Sequence, residues 1–182
     1  MTRRHLMKLM SLFGLVPLAS QAQAPAVATK PAAGAAPAAA GTATATGTDW
    51  RKLTPAEWQA RLTPAQYAVL RREGTEPAHT SPLNAEKRRG VFHCAGCDLP
   101  LFASDTKYES GTGWPSFYAA LPGAVGTKTD FKMILPRTEY HCVRCGGHQG
   151  HVFDDGPRPT GKRYCNNGVA LRFAPEIGRA HV

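Results

Sequence analysis

The chain has 182 residues and a formal net charge of +9, with 22 Lys and Arg against 13 Asp and Glu. Residues 49–182 hold 18 of the basic and all 13 of the acidic side chains, so their net charge is only +5. No dense run of Lys and Arg with interleaved aromatic residues occurs, and the composition therefore gives no support for nucleic-acid binding. The 5 cysteines, in contrast, indicate metal binding or thiol chemistry.

Residues 1–24 have the pattern of an export signal. Arg3 and Arg4 precede a short apolar stretch, and a small-x-small pattern ends at Ala24. We expect cleavage there and export to a bacterial periplasm, by the twin-arginine route or by ordinary secretion, since the Arg pair fits both. A retained membrane anchor is disfavoured, because the stretch is shorter than the about 20 apolar residues that cross a bilayer.

Residues 25–48 consist almost entirely of Ala, Pro, Gly and Thr, and Lys30 carries their only charge. Such a segment buries too little apolar surface to offset the entropy of ordering. It is predicted to be a disordered tether. The remaining residues, 49–182, are enough for one domain with an ordinary core.

Two short helices are predicted at the start of that domain. Thr54 and Thr63 are each followed by Pro, with Glu57 or Gln66 three positions after the Thr, a pattern that is typical of capped helix starts. Gly74 is expected to end the second helix.

After the helices, short β-branched and aromatic segments alternate with Gly and Pro. This texture predicts a mainly β domain with its helices at one end. The predicted strands are residues 91–94, 101–103, 131–135, 139–142, 151–154 and 163–173, the last of them bent at Gly168.

Four of the cysteines form two Cys-x-x-Cys pairs, Cys94 with Cys97 and Cys142 with Cys145. Each pair ends a predicted strand, and Gly96 and Gly146 are expected to let the backbone turn so that both sulfurs face one ion. Four thiolates make a closed Zn²⁺ site with no open position for catalysis, so one structural zinc ion is predicted. Disulfides are the alternative in an exported protein. A thioredoxin-like redox role is weaker, because no βαβ pattern is present.

The fifth cysteine, Cys165, lies in the polar run RYCNN at residues 163–167. A lone thiol in such surroundings is more typical of a reactive sulfur than of an inert buried one. Alternate residues of a strand point the same way, so Arg163 is expected to lower the pKa of the Cys165 thiol. Asp154 and Asp155 are expected to be turn residues or partners of Arg163.

The chain resembles the methionine-R-sulfoxide reductases of the B type in three runs: GTGWPSF at residues 111–117, GHQGHVFDDGP at 147–157 and RYCNN at 163–167. The likeness extends to the family's lead-in at residues 62–77 and covers essentially residues 50–175. The resemblance implies two antiparallel β-sheets with short helices, and zinc held by the two cysteine pairs. It also implies reduction of the R epimer of methionine sulfoxide in peptides and proteins, with Cys165 attacking the sulfoxide sulfur and becoming a sulfenic acid.

Further site residues follow from the same resemblance. It implies that His148, His151 and Asn167 form a polar side that holds the sulfoxide oxygen or a water and assists protonation. It implies that Trp114 and Phe153 form an apolar side for the methyl group. Imidazoles that titrate near neutrality suit proton donation, and aromatic rings attract sulfur and methyl groups. The alternatives are ordinary structural histidines and core aromatic residues.

One position departs from the family pattern. Many members carry a resolving cysteine two residues before the tryptophan of the GWPSF run, and this chain has Thr112 there. With four thiols committed to metal, Cys165 has no evident partner in the chain. We therefore expect an external thiol to reduce the sulfenic acid, such as an exported thioredoxin-like protein or a small dithiol. The protein is expected to be a monomer without membrane contact once the signal is removed.

Two other functions explain parts of the pattern. A non-catalytic zinc-ribbon module explains the paired cysteines but gives Cys165 no role. A thiol peroxidase or disulfide oxidoreductase uses a lone thiol, but it predicts turnover of peroxides or disulfides without stereospecific sulfoxide reduction.

Overall fold

Residues 47–132 and 135–176 are described in this computed structural model, and all of them belong to one unit spanning Ala45–Val182. The predicted export signal and all but the last two residues of the predicted tether lie outside the described residues. No helix within the described part of the chain has the length and hydropathy needed to cross a membrane.

The two predicted helices are confirmed as α1, Pro55–Arg61, and α2, Pro64–Arg72. Thr54 and Thr63 both cap their helices in reciprocal capping boxes with Glu57 and Gln66, so local sequence defines both starts. The end of α2 differs slightly from the prediction. Glu73, and not Gly74, takes the left-handed conformation that ends the helix, with φ 55°.

Within residues 47–132 and 135–176, nine strands form two sheets in which every pairing is antiparallel, as the predicted mainly β class with two antiparallel sheets requires. The smaller sheet has the order β2-β1-β9, and the larger has the order β3-β4-β8-β7-β6-β5. The strands are β1 Gly90–Cys94, β2 Pro100–Ala103, β3 Lys107–Tyr108, β4 Ser116–Phe117, β5 Val125–Asp130, β6 Arg137–Cys142, β7 His148–Phe153, β8 Arg163–Asn166 and β9 Leu171–Pro175.

The prediction of a strand at residues 131–135 is wrong. The described residues in this range, 131, 132 and 135, do not belong to a strand. The strand in this region is β5, which ends at Asp130 in register with Arg137 at the start of β6. Phe131 and Leu135 lie in the connection and are 75% and 76% exposed, whereas residues 133–134 are outside the described part. Phe131 and Leu135 are therefore exposed side chains of a connection and not parts of a buried strand.

The single bent strand predicted over residues 163–173 is two strands in different sheets. A 3₁₀ turn, Gly168–Ala170, carries the chain from β8 to β9. A Cβ atom at Gly168 would lie 1.8 Å from the Ser81 Oγ, so only glycine fits at this crossing.

An aromatic core joins the two sheets. The rings of Phe102 and Phe117 stack with centroids 4.2 Å apart, and Phe92 meets Phe117 edge-on at 4.9 Å. Tyr140 and Tyr164 continue the cluster at 5.2 Å. Each such pair contributes about 0.5–1.5 kcal/mol beyond its buried area. Because Tyr164 occupies the core face of β8, its neighbours in sequence point to the opposite face.

Candidate active site and metal centre

Cys165 lies on β8, which is paired with β4 on one side and with β7 on the other. Directly opposite it are Ser116 on β4 and His151 on β7. Directly opposite residues of a sheet share a face, so the register brings the His151 imidazole to the side of the sheet that carries the thiol. Gly150 makes this pairing possible, because a Cβ there would lie 1.9 Å from the Cys165 carbonyl oxygen.

A small pocket of about 130 Å³ opens beside the thiol. Strands contribute Arg137, His151, Phe153, Cys165 and Asn166, and loops contribute Thr75, Trp114 and Asn167. Its volume is close to that of an engineered cavity of about 150 Å³ that accepts benzene. The pocket therefore fits the end of one side chain and not a large cofactor.

The electrostatic surroundings of Cys165 differ from the prediction. Burial raises the pKa of the Cys165 thiol, and although Arg163 and a hydrogen bond with Thr112 both lower it, the net pKa is raised. The Thr112 Oγ1 lies 4.0 Å from the Cys165 Sγ. Arg163 thus lowers the pKa of Cys165 as expected, but burial raises it by more. The resting sulfur is therefore a protonated thiol near neutral pH.

Arg163 is held in place from two sides. Its Nε and Nη2 each donate to one oxygen of Asp155 at 2.8 Å, and its guanidinium lies 4.3 Å from the centroid of the Phe153 ring. The suggested partnership with Asp155 is confirmed. Arg163 does not line the pocket itself, but it supports Phe153, which does.

His151 is oriented by Asp130, the last residue of β5. The His151 Nε2 lies 2.7 Å from the Asp130 Oδ2, and Arg137 Nη2 donates to the same oxygen at 2.8 Å. A hydrogen bond from the Lys132 amide and those from His151 and Arg137 hold the pKa of Asp130 well below its usual range, so this carboxylate only accepts. The imidazole proton is therefore on Nε2, and burial lowers the pKa of His151, which leaves Nδ1 unprotonated near neutral pH.

His148 lies behind His151 and does not line the pocket. The two rings meet edge-on with centroids 5.5 Å apart. The His148 Nδ1 lies 2.7 Å from the Glu139 Oε1, and its Nε2 is buried without a hydrogen-bond partner among the described residues. Burial by itself raises the pKa of Glu139, but hydrogen bonds with His148 and His141 outweigh burial and lower it.

Asn167 and Trp114 line the pocket from its other side, and both are held by Glu76. The Asn167 Oδ1 accepts from the Glu76 amide at 2.9 Å, and the Trp114 Nε1 donates to the Glu76 carbonyl at 3.0 Å. One hydrogen of the Asn167 amide is bonded to the Gln149 carbonyl at 3.0 Å. Because a side-chain amide has two such hydrogens, one remains for a group in the pocket.

Sequence reasoning missed the residues that hold this site together, namely Thr75, Glu76, Asp130, Arg137 and Glu139. Asp130 and Arg137 stand at the facing ends of two adjacent strands, which only the register reveals. Thr75 and Glu76 belong to the lead-in that resembles the family, and this was the one available signal for them.

The four paired cysteines come together as predicted. Their Sγ atoms all lie within 4.8 Å of one another, with 3.6 Å between Cys94 and Cys145 and 3.5 Å between Cys97 and Cys142. Tetrahedral zinc with Zn–S bonds of about 2.3 Å places its sulfurs about 3.8 Å apart. All four residues are buried free thiols, so the set fits a closed four-sulfur metal site.

The two knuckles have the same backbone geometry. In each, the amide of the first cysteine donates to the carbonyl five residues later, at 2.8 Å for Cys94 and 2.9 Å for Cys142. The residue four positions after that cysteine is left-handed, with φ 60° at Asp98 and φ 69° at Gly146. The expectation for Gly146 is therefore confirmed, but in the first knuckle Asp98 and not Gly96 takes the turn.

Gln149 connects the cysteine cluster with the pocket. It is fully buried, and its Nε2 donates to the Cys94 Sγ at 3.4 Å. Its carbonyl accepts from both the amide and the side chain of Asn167, at 2.8 and 3.0 Å. One residue of β7 thus touches a cluster sulfur and positions a pocket amide.

The fold and the site define a protein with one pocket thiol and a separate cluster of four thiols that is compatible with a metal site. Residues 62–175 match the SelR domain family. Two bacterial proteins named peptide methionine sulfoxide reductase MsrB are similar to the chain. The one from Leptospira interrogans is 52% identical over 121 residues, covering 66% of this chain and 92% of that protein, and the one from Pseudomonas putida is 52% identical over 126 residues, covering 69% and 95%.

The chloroplastic peptide methionine sulfoxide reductase B1 of Arabidopsis thaliana is 52% identical over 126 residues, which are 69% of this chain. The chain spans 62% of the length of that protein and 57% of the rice counterpart. A solved Mis18 Yippee-like domain has 19% identity and a TM-score of 0.39, covering 50% of this chain and 100% of that one, which is too weak to bear on the fold. The chain belongs to the SelR domain family, the peptide methionine sulfoxide reductases of the B type.

Proposed function

We propose that this protein reduces the R epimer of methionine sulfoxide in peptides and proteins to methionine, with Cys165 as the nucleophile. The observation that carries the proposal is the separation of the thiols. Four are buried together in the cluster, and Cys165 lines the small pocket, which it shares with His151, Asn167 and Trp114. Membership of the family supports the choice of substrate and of epimer.

The reaction moves one oxygen atom from the substrate sulfur to the enzyme. The Cys165 sulfur bonds to the sulfoxide sulfur as the sulfoxide oxygen takes up a proton. The S–O bond of the substrate and the new sulfur–sulfur bond then break, and the oxygen ends on the cysteine sulfur, so the products are methionine and Cys165 sulfenic acid. The sulfoxide sulfur is reduced and the cysteine sulfur is oxidised by two electrons. The thiol proton balances the exchange, since the resting sulfur is protonated and the sulfenic acid carries one hydrogen.

Each pocket residue has a different proposed role in this reaction. The unprotonated Nδ1 of His151 suits acceptance of the Cys165 proton and its return to the sulfoxide oxygen. The free amide hydrogen of Asn167 suits donation to that oxygen. Trp114 and Phe153 offer aromatic surface to the methyl group, each contact with sulfur or methyl contributing about 0.3–1.5 kcal/mol. His148 acts through His151 as a supporting residue.

An external thiol completes the cycle. Two reducing thiols convert the sulfenic acid to a thiol, and one disulfide and one water are released. The support for an external source is that Thr112, whose Oγ1 lies 4.0 Å from the Cys165 Sγ, occupies the position of the family's resolving cysteine, and that the cluster sulfurs are buried. Oxidation by a stoichiometric sulfoxide should leave one sulfenic acid per chain, detectable with dimedone, and no new internal disulfide. A disulfide that includes Cys165 would contradict this step.

The four clustered cysteines are proposed to hold one structural Zn²⁺, which when bound supplies folding stability and takes no part in catalysis. The spacing of their sulfurs supports this choice over two disulfides. Native mass spectrometry of the purified protein tests it. One zinc ion and four reduced thiols per cluster is the expected result, and a metal-free protein with two disulfides would contradict it.

The protein is further proposed to work as a monomer in a bacterial periplasm, after cleavage behind Ala24. The support is the charge and apolar pattern of the first 24 residues. Cell fractionation and the mass of the mature amino terminus test the location, and sedimentation equilibrium tests the monomer. Full-length protein in the cytoplasm would overturn the export proposal.

The decisive experiment is turnover of two peptides that carry the separate epimers, with dithiothreitol as reductant. Wild-type protein should reduce the R epimer only, and Cys165→Ser should be inactive while keeping its metal content and unfolding midpoint. A second control, Lys52→Ala on the exposed surface, should leave activity unchanged. Reduction of the S epimer alone, or full activity of Cys165→Ser, would overturn the proposed function.

A further inference from the structure

An apolar surface next to the pocket has no role in the chemistry above. Phe131 and Leu135 are 75% and 76% exposed, and they are the only large hydrophobic side chains exposed to this degree in the part of the chain that the structure describes. Single apolar residues on a surface are ordinary, but two in one short connection beside a pocket mark a candidate contact surface.

The connection between β5 and β6, which contains both side chains, lies next to residues of the candidate active site. Phe131 follows Asp130, whose carboxylate orients His151, and Leu135 lies two residues before Arg137, which lines the pocket. The β5–β6 register closes the connection at its base, with Asp130 opposite Arg137. The connection that carries both exposed side chains therefore begins and ends next to residues that orient or line the site.

A groove begins where the pocket ends. It has a volume of about 600 Å³ and is lined by Leu135, Pro136, Thr138 and Val152, together with Arg137 and Phe153, which also line the pocket. A chain that leaves the pocket past Phe153 enters this groove without crossing other surface. The pocket of about 130 Å³ holds one side-chain end, so the rest of a polypeptide substrate must lie outside it.

The charges along the groove are already paired within the protein. The Arg137 guanidinium is bonded to Asp130 at 2.8 Å, and Asp154, which also lines the groove, is paired with Lys162. The groove therefore offers apolar surface with little unpaired charge, which favours apolar over charged neighbours in a bound chain.

We propose that this groove, with Leu135 in its lining and Phe131 exposed in the same connection, binds the polypeptide next to the oxidised methionine and selects substrates with apolar flanking residues. The proposal rests on the proposed function and specifies its substrate class. The occupant is a segment of the substrate protein, because the groove is continuous with the pocket through two shared residues.

Two peptides test the proposal, identical except that Leu and Phe flank the R methionine sulfoxide in one and Ser flanks it on both sides in the other. N-acetyl methionine sulfoxide amide is the third substrate, with no flanking residues. Wild-type protein should show a kcat/KM about tenfold higher for the apolar peptide, the effect expected from partial burial of two large side chains. The double variant F131S/L135S should lose this preference and should reduce the small sulfoxide at the wild-type rate.

A matched variant separates apolar contact from a change of shape. F131L/L135M keeps the surface apolar and should keep most of the preference. The proposal is overturned if F131S/L135S retains the preference, or if its activity falls equally on all three substrates.

Other occupants of the groove give different results, and each of them overturns the proposal. A second copy of the chain predicts a dimer that F131S/L135S dissociates in sedimentation experiments. A protein reductant predicts a loss seen with thioredoxin but not with dithiothreitol. If the wild type reduces no sulfoxide, the proposed function fails, and anisotropy of the fluorescein-labelled peptides still tests the groove. Equal binding of both peptides would then count against it.

Discussion

Glu139 is the acidic residue on which the buried His148 depends. Its Oε1 and Oε2 lie 2.7 and 3.2 Å from the Nδ1 atoms of His148 and His141. Glu139 and His148 are each 2% exposed. Glu139→Ala would leave the His148 ring buried with neither nitrogen bonded, because its Nε2 already lacks a partner among the described residues.

The expected loss follows from these contacts. A hydrogen bond to a charged group contributes about 1.5–3 kcal/mol, and an imidazole that cannot reach water falls at the upper end of that range. The side chain of His141 is 24% exposed, so water replaces most of its lost bond. Glu139→Ala should therefore lower the free energy of unfolding by about 3 kcal/mol, a large share of the about 5–15 kcal/mol typical of a domain.

Urea unfolding of the metal-loaded protein at pH 7 measures this change. The matched control is Glu109→Ala, which removes an exposed carboxylate bonded only to the Gly111 amide and should change stability by less than about 0.5 kcal/mol. If Glu139→Ala loses less than about 1 kcal/mol while remaining folded, the carboxylate does not support His148 as argued.

The hydrogen bond between Glu139 and His148 also makes the free energy of unfolding depend on pH in a definite direction. The pKa of Glu139 is lowered in the folded protein, because the two imidazole bonds outweigh burial. A carboxylate of this kind stabilises the fold above its unfolded pKa of about 4.3, and the contribution is lost as the pH falls through the folded pKa. The stability difference between wild type and Glu139→Ala should shrink steadily below about pH 4. A difference that is constant or grows toward acid would refute this account.

Three further outcomes are expected. Thr112→Val removes a hydroxyl that lowers the pKa of Cys165, so the pH profile of iodoacetamide alkylation should move to higher pH, while Thr112→Ser should match wild type. Gln149→Leu removes an N–H···S bond to the cluster, so the sulfur-to-metal absorption band of the cobalt-loaded protein should shift; an unchanged spectrum would contradict that contact. Asp130→Asn removes the carboxylate that raises the pKa of His151, so the pH limit set by His151 should move lower and kcat/KM should fall at least about tenfold.

The raised pKa of Cys165 shows why one neighbouring charge was a poor guide to reactivity. Sequence spacing correctly put Arg163 on the same face of the strand as the thiol, where it lowers the thiol pKa. The guanidinium is, however, already bonded to Asp155 through two nitrogens, which weakens its effect on the sulfur. Burial is the larger contribution, and it depends on the packing of distant segments around β8.

The strand predictions were correct where alternating apolar and polar residues were bounded by turn residues such as Gly and Pro. They failed where these two signals disagreed. The strands at residues 91–94 and 139–142 lie within β1 and β6 as expected. The apolar composition of residues 131–135 predicts a strand there, but β5 precedes them and three successive residues of β5, Thr127, Lys128 and Thr129, are exposed. An edge strand of a sheet needs only one buried face, so its composition is too polar to separate from a loop.

The sequence by itself determined which residues carry the chemistry proposed for this protein. It identified the capped helices, the four thiols that come together in the cluster and the lone Cys165, because capping, Cys-x-x-Cys spacing and residue type act over a few positions. His151, Asn167 and Trp114 were also found from their short runs, and all three line the pocket. Each of these inferences needed only local pattern or a contiguous motif.

The tertiary structure decided how that chemistry is arranged. The register of β7 with β8 puts His151 opposite Cys165. The packing of the folded chain leaves His148 outside the pocket lining. Glu76 and Asp130 hold the pocket residues from positions that are distant in the chain, and no local pattern marks them. Pairing, burial and charge balance are sums over residues that meet only after folding, and for this reason no single segment could reveal them.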